Sequence, residues 1–478
     1  MTLGKKATRS AGWLFLGSFF NITAAFFGNI ILTRLLLPEE LGAYALAQAL
    51  FVCLYMFTGF GCQESIVQCR DPRVKKLIPT AFLMTLAMAL GFTGLGIILA
   101  FIMGSYYGET TRSLLLFICG MNLFQMIGSA YSHHLERHLQ FRPIAFLQPT
   151  VTLVSFSLGI GAALQGLGVW ALAVREGSMA ILTFCGLRFL SSYRWQWTFS
   201  RDAARWILRF GIQTMGARIA EVLLGRLDKL LVGTLLGTGT LGHYALASRM
   251  ARVSDQFTRQ PINTLMHSVL ASVQFDKAKL SYTFERTQYW LWRILTLLGI
   301  SAFFLGADAV QWLYGNTWSE AGRILQMLAP SVALFPLSES LRTALVAAGA
   351  IQRSLRVRFW QLMSFIPGMF IAVGVWGHLE AAVLVLNFVT LVSTIHMGWS
   401  LKDIITINWI YLSMSPLVAG FVTVTTIALL IDSEYSYTLW ALILFKGSLI
   451  SMIFVGVLLL IERRTLIKES LLIFNRLR

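Results

Sequence analysis

Residues 35–47 read LLLPEELGAYALA, and residues 235–247 read LLGTGTLGHYALA. Leu35, Leu36, Leu41, Gly42, Tyr44, Ala45, Leu46 and Ala47 each recur at an offset of 200 residues, and Phe57 and Thr58 recur as Phe257 and Thr258. Apolar low-complexity sequence does not keep one register for that long, so the two stretches are copies of one helical hairpin. Gly42 and Gly242 open the second helix of each copy, where a tight turn suits glycine.

The surroundings of these hairpins are apolar throughout. Of 478 residues, 56% are hydrophobic and only 13% charged, against about 25% charged in an average soluble domain. The mean hydropathy is +0.68. Hydrophobic segments fall at 11–33, 41–60, 78–103, 113–131, 144–164, 167–187, 211–236, 241–262, 289–313, 322–348, 357–377, 379–400, 410–431 and 438–461. The sequence therefore predicts an all-α, polytopic membrane protein of about 14 transmembrane helices. Dividing 478 residues among them leaves roughly 34 each, most of which a helix of about 20–25 residues consumes. The polar connections 188–210 and 263–288 are shorter than the ~50 residues of a small domain. A fused ATPase or glycosyltransferase is excluded on length, no Walker A sequence is present, and neither catalysis nor a cofactor is expected. The first segment follows a basic start, but its apolar run exceeds the ~7–15 residues of a signal h-region and no small-residue cleavage site precedes Arg34, so it reads as a retained helix. Cys53, Cys62, Cys69, Cys119 and Cys185 show no C-x-x-C spacing and support neither a disulfide framework nor a zinc site.

The net charge of +17 raises the question of nucleic acid, and position answers it. An even number of spans puts both ends on one side. Lys5, Lys6 and Arg9 lie at one end and Arg463, Arg464, Lys468, Arg476 and Arg478 at the other, and the loops of that side are rich in arginine and lysine. The opposite loops hold little beyond Arg112 and Arg323, with Glu39, Glu40, Glu109, Asp432 and Glu434. The positive-inside rule makes the basic side, and both termini, cytoplasmic. The charge reports topology and implies no nucleic-acid partner.

The second hairpin copy begins after six helices, an even number, so both copies enter the membrane in the same direction. That is a parallel repeat, which transporters use to build two lobes around a central site. The expected organisation is an N-lobe over 1–200, a C-lobe over 201–402, and two further helices with a basic tail over 403–478.

Charges at membrane depth are costly and by default functional. Arg34, Arg175, Arg218, Arg226, Lys229, Arg249, Arg252, Arg259, Arg293, Arg342 and Lys446 remain there once loop residues are removed. They concentrate in the seventh and eighth segments. At about 100° per residue, Arg218, Glu221, Arg226, Asp228 and Lys229 share one arc of roughly 160°, and Ser248, Arg249, Arg252, Asp255, Gln256 and Arg259 form a stripe on the next helix. Such faces line an aqueous cavity or pair with each other. At −200 from Arg218, Glu221, Arg226, Asp228, Lys229, Arg249, Arg252 and Asp255 stand Ser18, Asn21, Phe26, Gly28, Asn29, Ala49, Val52 and Tyr55. The equivalent hairpin dispenses with all eight charges, so maintaining the hairpin is a poor account of them. Arg218, Arg226, Lys229, Arg249, Arg252, Arg34 and Arg342 are thus candidates for a cationic cavity suited to an anionic solute, since guanidinium matches phosphate bidentately. Glu221, Asp228 and Asp255 are charge partners or ion-coupling groups. Arg209 and Arg259 lie close enough to the interface to snorkel. His133, His134 and His138 have helical metal spacing but sit beside Arg137 at a helix end, where interfacial histidine is the better account; no metal is expected. Trp195, Trp197 and Trp206, set among arginines, have the composition of an amphipathic helix in the interface.

With LTRLLLPEELGAYALA (32–47), LERHLQFRPIAF (135–146), GLGVWALA (166–173) and DKLLVGTLLGTGTLGHYALASR (228–249), the chain resembles the Wzx-like polysaccharide flippases of the multidrug/oligosaccharidyl-lipid/polysaccharide exporter superfamily. The resemblance implies a transporter of the bacterial inner membrane that moves polyprenyl-pyrophosphate-linked oligosaccharide from the cytoplasmic to the outer leaflet by alternating access. It also implies lipid-linked oligosaccharide, membrane lipids, and a polymerase with chain-length machinery as partners. The rivals are a lipid II flippase, a drug or cation antiporter of the same superfamily, for which a basic cavity is unsuited, and a membrane-embedded glycan polymerase or ligase, for which the external loops are too short.

Overall fold

A computed structural model describes residues 3–55, 62, 65–66, 76–138, 140–256, 277–405, 409–430 and 439–477. The described residues are predominantly helical and contain no strand. The helices are α1 (Leu3–Arg34), α2 (Pro38–Tyr55), α3 (Leu77–Tyr107), α4 (Glu109–Arg137), α5 (Phe141–Leu164), α6 (Trp170–Leu190), α7 (Arg201–Leu235), α8 (Thr238–Ala251) and α9 (Lys277–Tyr314). They continue as α10 (Ser319–Met327), α11 (Ala329–Ala347), α12 (Ile351–Met369), α13 (Leu379–Leu401), α14 (Trp409–Leu430) and α15 (Leu439–Leu477).

Each of the fourteen hydrophobic segments carries described helix. Among the described residues, nine helices are long and apolar enough to cross a bilayer, ten if the bent pair α10–α11 counts as one span. Large side chains such as Phe101, Phe388, Phe421 and Leu460 are more than half exposed; such a surface needs lipid to cover it.

Hydropathy located helices but not their ends. α7 starts at Arg201 and α9 at Lys277, ahead of the predicted 211 and 289, because amphipathic turns extend these helices past the purely apolar window. The tenth segment breaks at Leu328 with a bend of 55°. Pro330 enters α11 in its first turn, where it has no N–H to continue the preceding ladder. In the eleventh segment α12 passes into a π-helical stretch, Phe370–Val375, three residues after Pro367.

By contacts the chain divides into two compact units, Met1–Ala245 and Leu246–Arg478. In the first, α3 runs along α4, α1 along α5, and α5 along α6, while α2 packs on α7. Thus the seventh helix and the first half of the eighth belong by packing to this unit. In the second unit α9 is central, touching α10, α11, α14 and α15. Two ion pairs hold α15 antiparallel to α9: Arg293 with Glu462, and Lys446 Nζ with Asp308 Oδ2 at 2.7 Å. The cations and acids alternate between the helices, and positions 293 and 308 stand about 22 Å apart along α9 at ~1.5 Å per residue. The helix bends at Glu462, whose φ and ψ are −123° and 22°.

Candidate functional site

The two hairpin copies meet in the first unit. α2 begins at Pro38 and α8 at Thr238, the same position of the repeat. A Cβ added to Gly42 would stand 1.7 Å from the Thr238 carbonyl oxygen, and one added to Gly242 would stand 1.9 Å from that of Pro38. The contact is reciprocal, each glycine lying on the first residue of the other copy's helix. Neither glycine has a positive φ; among the glycines of this hairpin turn it is Gly237, at 88°, that does. Gly42 and Gly242 therefore serve not a tight turn, as expected, but a close helix-to-helix backbone approach.

This contact sets α8 beside α7. Tyr244, nearly two helical turns into α8 and 1% exposed, donates a hydrogen bond from its hydroxyl to Asp228 Oδ2 at 2.8 Å. Asp228 is wholly buried, whereas Glu221 on the same predicted arc is exposed and Arg226 and Lys229 are half-buried. The arc is therefore divided. Its acid at 228 is drawn into the α7–α8 contact, and its bases at 226 and 229 flank that contact. The Arg226 guanidinium lies within electrostatic reach of the Cys53 thiol on α2. The backbone at 218 is helical, and the Arg218 side chain lies outside the described ones, as does all of Arg259. Arg34 is exposed at the end of α1, beside the hairpin turn.

The remaining candidates belong to the second unit. Arg249 is half-buried and acts electrostatically on Tyr314, whose hydroxyl lies 3.3 Å from Met250 Sδ. Arg252 stacks over the Phe335 ring at 5.1 Å, and Asp255 is buried. Arg342 Nε donates to Glu339 Oε2 at 2.7 Å, and Arg358 binds the other oxygen of the same buried carboxylate. Arg175, Arg293, Arg342 and Lys446 thus each meet an acid: Glu176, Glu462, Glu339 and Asp308. Of these acids, Glu462 stands 169 residues from its arginine and Asp308 138 from its lysine, separations at which no local spacing signals a pair.

The Trp-rich connection departs from expectation. Residues 191–200 form no helix. Ser191, Tyr193 and Trp195 turn inward while Ser192, Arg194 and Gln196 turn out, the twofold period of extended chain. Tyr193 stacks on Phe82 with ring centroids 4.3 Å apart, and Trp195 meets the same ring edge-on at 5.7 Å. Burial pushes the Tyr193 phenol up to about 12. Aromatic contacts with α3 hold this strap, and the alternation in YRWQW was the signal that composition concealed. His134 and His138 pack ring against ring at 4.8 Å, and His134 Nδ1 lies 3.4 Å from the Ser191 hydroxyl. Among the described residues no group of three His, Cys, Asp or Glu side chains is placed to hold a metal ion.

The sequence profile of a family described as "Polysaccharide biosynthesis protein" matches residues 31–323. The succinoglycan biosynthesis transport protein ExoT of Rhizobium meliloti (strain 1021) is 23% identical, across 98% of this chain and 95% of its own. The lipopolysaccharide biosynthesis protein WzxC of Escherichia coli (strain K12) is 22% identical over 88% of each chain. Among solved structures, the lipid II flippase MurJ in an inward closed conformation superposes with a TM-score of 0.76 at 13% identity, covering 94% of this chain and 98% of that one. At that identity the likeness establishes a shared fold.

Proposed function

The chain belongs to the polysaccharide biosynthesis protein family, and from that premise we propose that it is a flippase carrying polyprenyl-pyrophosphate-linked oligosaccharide from the cytoplasmic to the outer leaflet of a bacterial inner membrane. The observation that carries the reading is the pair of half-buried bases Arg226 and Lys229 in α7, at positions where the equivalent hairpin has Phe26 and Asn29. Cations held at membrane depth by one hairpin and dispensed with by its twin are suited to a mobile anion, and pyrophosphate is the anionic part of such a substrate. Arg218, Arg249 and Arg252 are further candidates for contact with the anion on charge and on position in the sequence. Arg342, tied to Glu339, and Arg34, exposed at the end of α1, complete the set of candidate bases.

The two lobes, 1–200 and 201–402, alternate between inward and outward access, with the prenyl tail remaining in lipid. Residues 403–478 add two helices and a basic tail. Both termini face the cytoplasm, where the basic loops are retained. Chemistry on the sugar belongs to other proteins, and a polymerase with its chain-length machinery would receive the product at the outer face. The relatives are named for succinoglycan transport and lipopolysaccharide biosynthesis, which favours this substrate over lipid II.

Deleting the gene should lead to accumulation of a lipid-linked oligosaccharide on the cytoplasmic side, identified by mass spectrometry of extracted lipids. Unchanged lipid-linked sugars together with normal surface polysaccharide would refute the assignment.

A further inference from the structure

α7 carries a second basic surface that transport through the helix 7–8 face does not use. Its 35 residues extend about 52 Å at ~1.5 Å per residue, against a hydrocarbon core of ~30 Å. The Leu235 end closes a short hairpin into α8, so the excess emerges at the Arg201 end. There, Arg201, Arg205, Leu208, Arg209 and Ile212 occupy one arc about 100° wide, and all five are exposed. With Phe199 and Ala204 they line an open cleft of about 710 Å³. Asp202 approaches Arg205 at 3.9 Å, but the two side chains are 91% and 83% exposed, too solvated for the acid to neutralise the cleft.

The opposite face of these turns is fixed. Ala203 and Ile207 are wholly buried in the cluster that contains Phe82, Tyr131 and Tyr193. The Ser200 backbone N–H donates to Thr80 Oγ1 at 3.1 Å, and the Ser200 hydroxyl caps the Ala203 N–H. The arginines therefore project from a rigid platform, which lowers the ordering cost of binding.

We propose that this cleft docks the phosphate headgroup of an anionic phospholipid, whose acyl chains run along Phe199, Leu208 and Ile212. Three guanidinium groups in one arc match a phosphodiester. Ile212 and Phe199, 65% and 56% exposed, require apolar cover on the same surface. An amphiphile meets both requirements at once, whereas a free phosphate meets only the first. Bound lipid ties the start of α7, the helix that bears Arg226 and Lys229, to the composition of the membrane. The site is independent of which solute the protein moves.

The test titrates the purified full-length protein in neutral detergent with phosphatidylglycerol, phosphatidylcholine or inorganic phosphate, reading bound lipid by native mass spectrometry and thermal stability in parallel. Saturable phosphatidylglycerol binding is expected, with no response to phosphatidylcholine or inorganic phosphate. R205Q should weaken it about fivefold and R201Q/R205Q/R209Q roughly 100-fold. L208S/I212S should weaken it while leaving the charge intact. Wild-type affinity in the triple variant would overturn the proposal, and so would competition by inorganic phosphate at equal strength, which would make the site one for a free anion. Should the triple variant not be recovered folded, R205Q decides, because its side chain lies in solvent. None of these readouts involves export, so their failure leaves the flippase reading standing, and the failure of that reading leaves them interpretable.

Discussion

The hairpin α1–α2 and the hairpin α7–α8 share a register, a pair of glycines and a buried tyrosine, yet the polar groups around the tyrosine differ completely. In the second hairpin, Tyr244 donates to Asp228 of the same hairpin. In the first, the position equivalent to Asp228 is Gly28, where an added Cβ would stand 2.4 Å from the Phe156 ring. Arg175 of α6 lies over that ring at 5.1 Å and donates to Asn29 Oδ1 at 3.2 Å. Glu176 closes the ion pair and Tyr44 hydrogen-bonds to the guanidinium. One hairpin thus imports a single cation from a neighbouring helix and surrounds it with partners. The other carries bases of its own beside an acid engaged by its tyrosine. The lesson is that the backbone arrangement needs only the glycines and the apolar register, leaving the polar positions available for function.

The largest effect is expected where the copies are alike. G42A and G242A each drive a methyl group into a backbone carbonyl, a clash that side-chain movement cannot relieve, and the cost exceeds the ~1–3 kcal/mol typical of overpacking. Both variants should lose folded protein on size-exclusion chromatography, to the same degree. A large difference between them would break the reciprocity of the contact. Next comes R175Q, which leaves Glu176 partly buried beside an uncharged neighbour; removing one member of a buried pair costs about 3–5 kcal/mol. Its thermal midpoint in detergent should fall markedly, and further than that of R226Q, since Arg175 is buried and Arg226 only half-buried. Equal destabilisation by the two would erase the distinction between a structural arginine and a functional one.

Third is charge reversal in the second hairpin. R226E or K229E should lower surface polysaccharide with protein level and midpoint retained, because a charge-assisted contact of about 2 kcal/mol to a phosphate is worth roughly thirtyfold in affinity. Normal polymer yield from both, with expression verified, would remove these bases from the substrate path.

Much of this was legible in the sequence, and the rest was hidden for definite reasons. A repeat held at 200 residues located both hairpins, since identical local sequence in identical register repeats its local fold. Hydropathy located helices, but it could not show that Arg175 meets Glu176 and Asn29, since a charge at membrane depth looks the same in the sequence whatever packs around it. The partners that decide the matter, Glu462 for Arg293 and Asp308 for Lys446, are set by packing across the chain. The strap at 191–200 is extended rather than helical, since tryptophan and arginine point to an interface without fixing the backbone, whereas the twofold alternation carries the conformation. Gly42 and Gly242 stand out in the sequence as a repeated pair, but a sequence marks a glycine without saying whether it is needed for φ or, as here, for proximity.

The smallest effect separates the two tyrosines. Y244F removes the donor that Asp228 Oδ2 accepts from, and the Oδ1 atom has no hydrogen bond to take its place. Hydrogen bonds between helices in membranes average well under the ideal value, so a loss of about 1 kcal/mol is expected. Y44F removes one of several partners of Arg175, which keeps Glu176 and Asn29, and should cost less. Thermal midpoints of the two variants, measured in the same detergent, rank them directly. If Y44F is the more damaging, Tyr44 organises the arginine network instead of merely completing it, and the first hairpin depends on its polar neighbours more than the comparison with its twin allows.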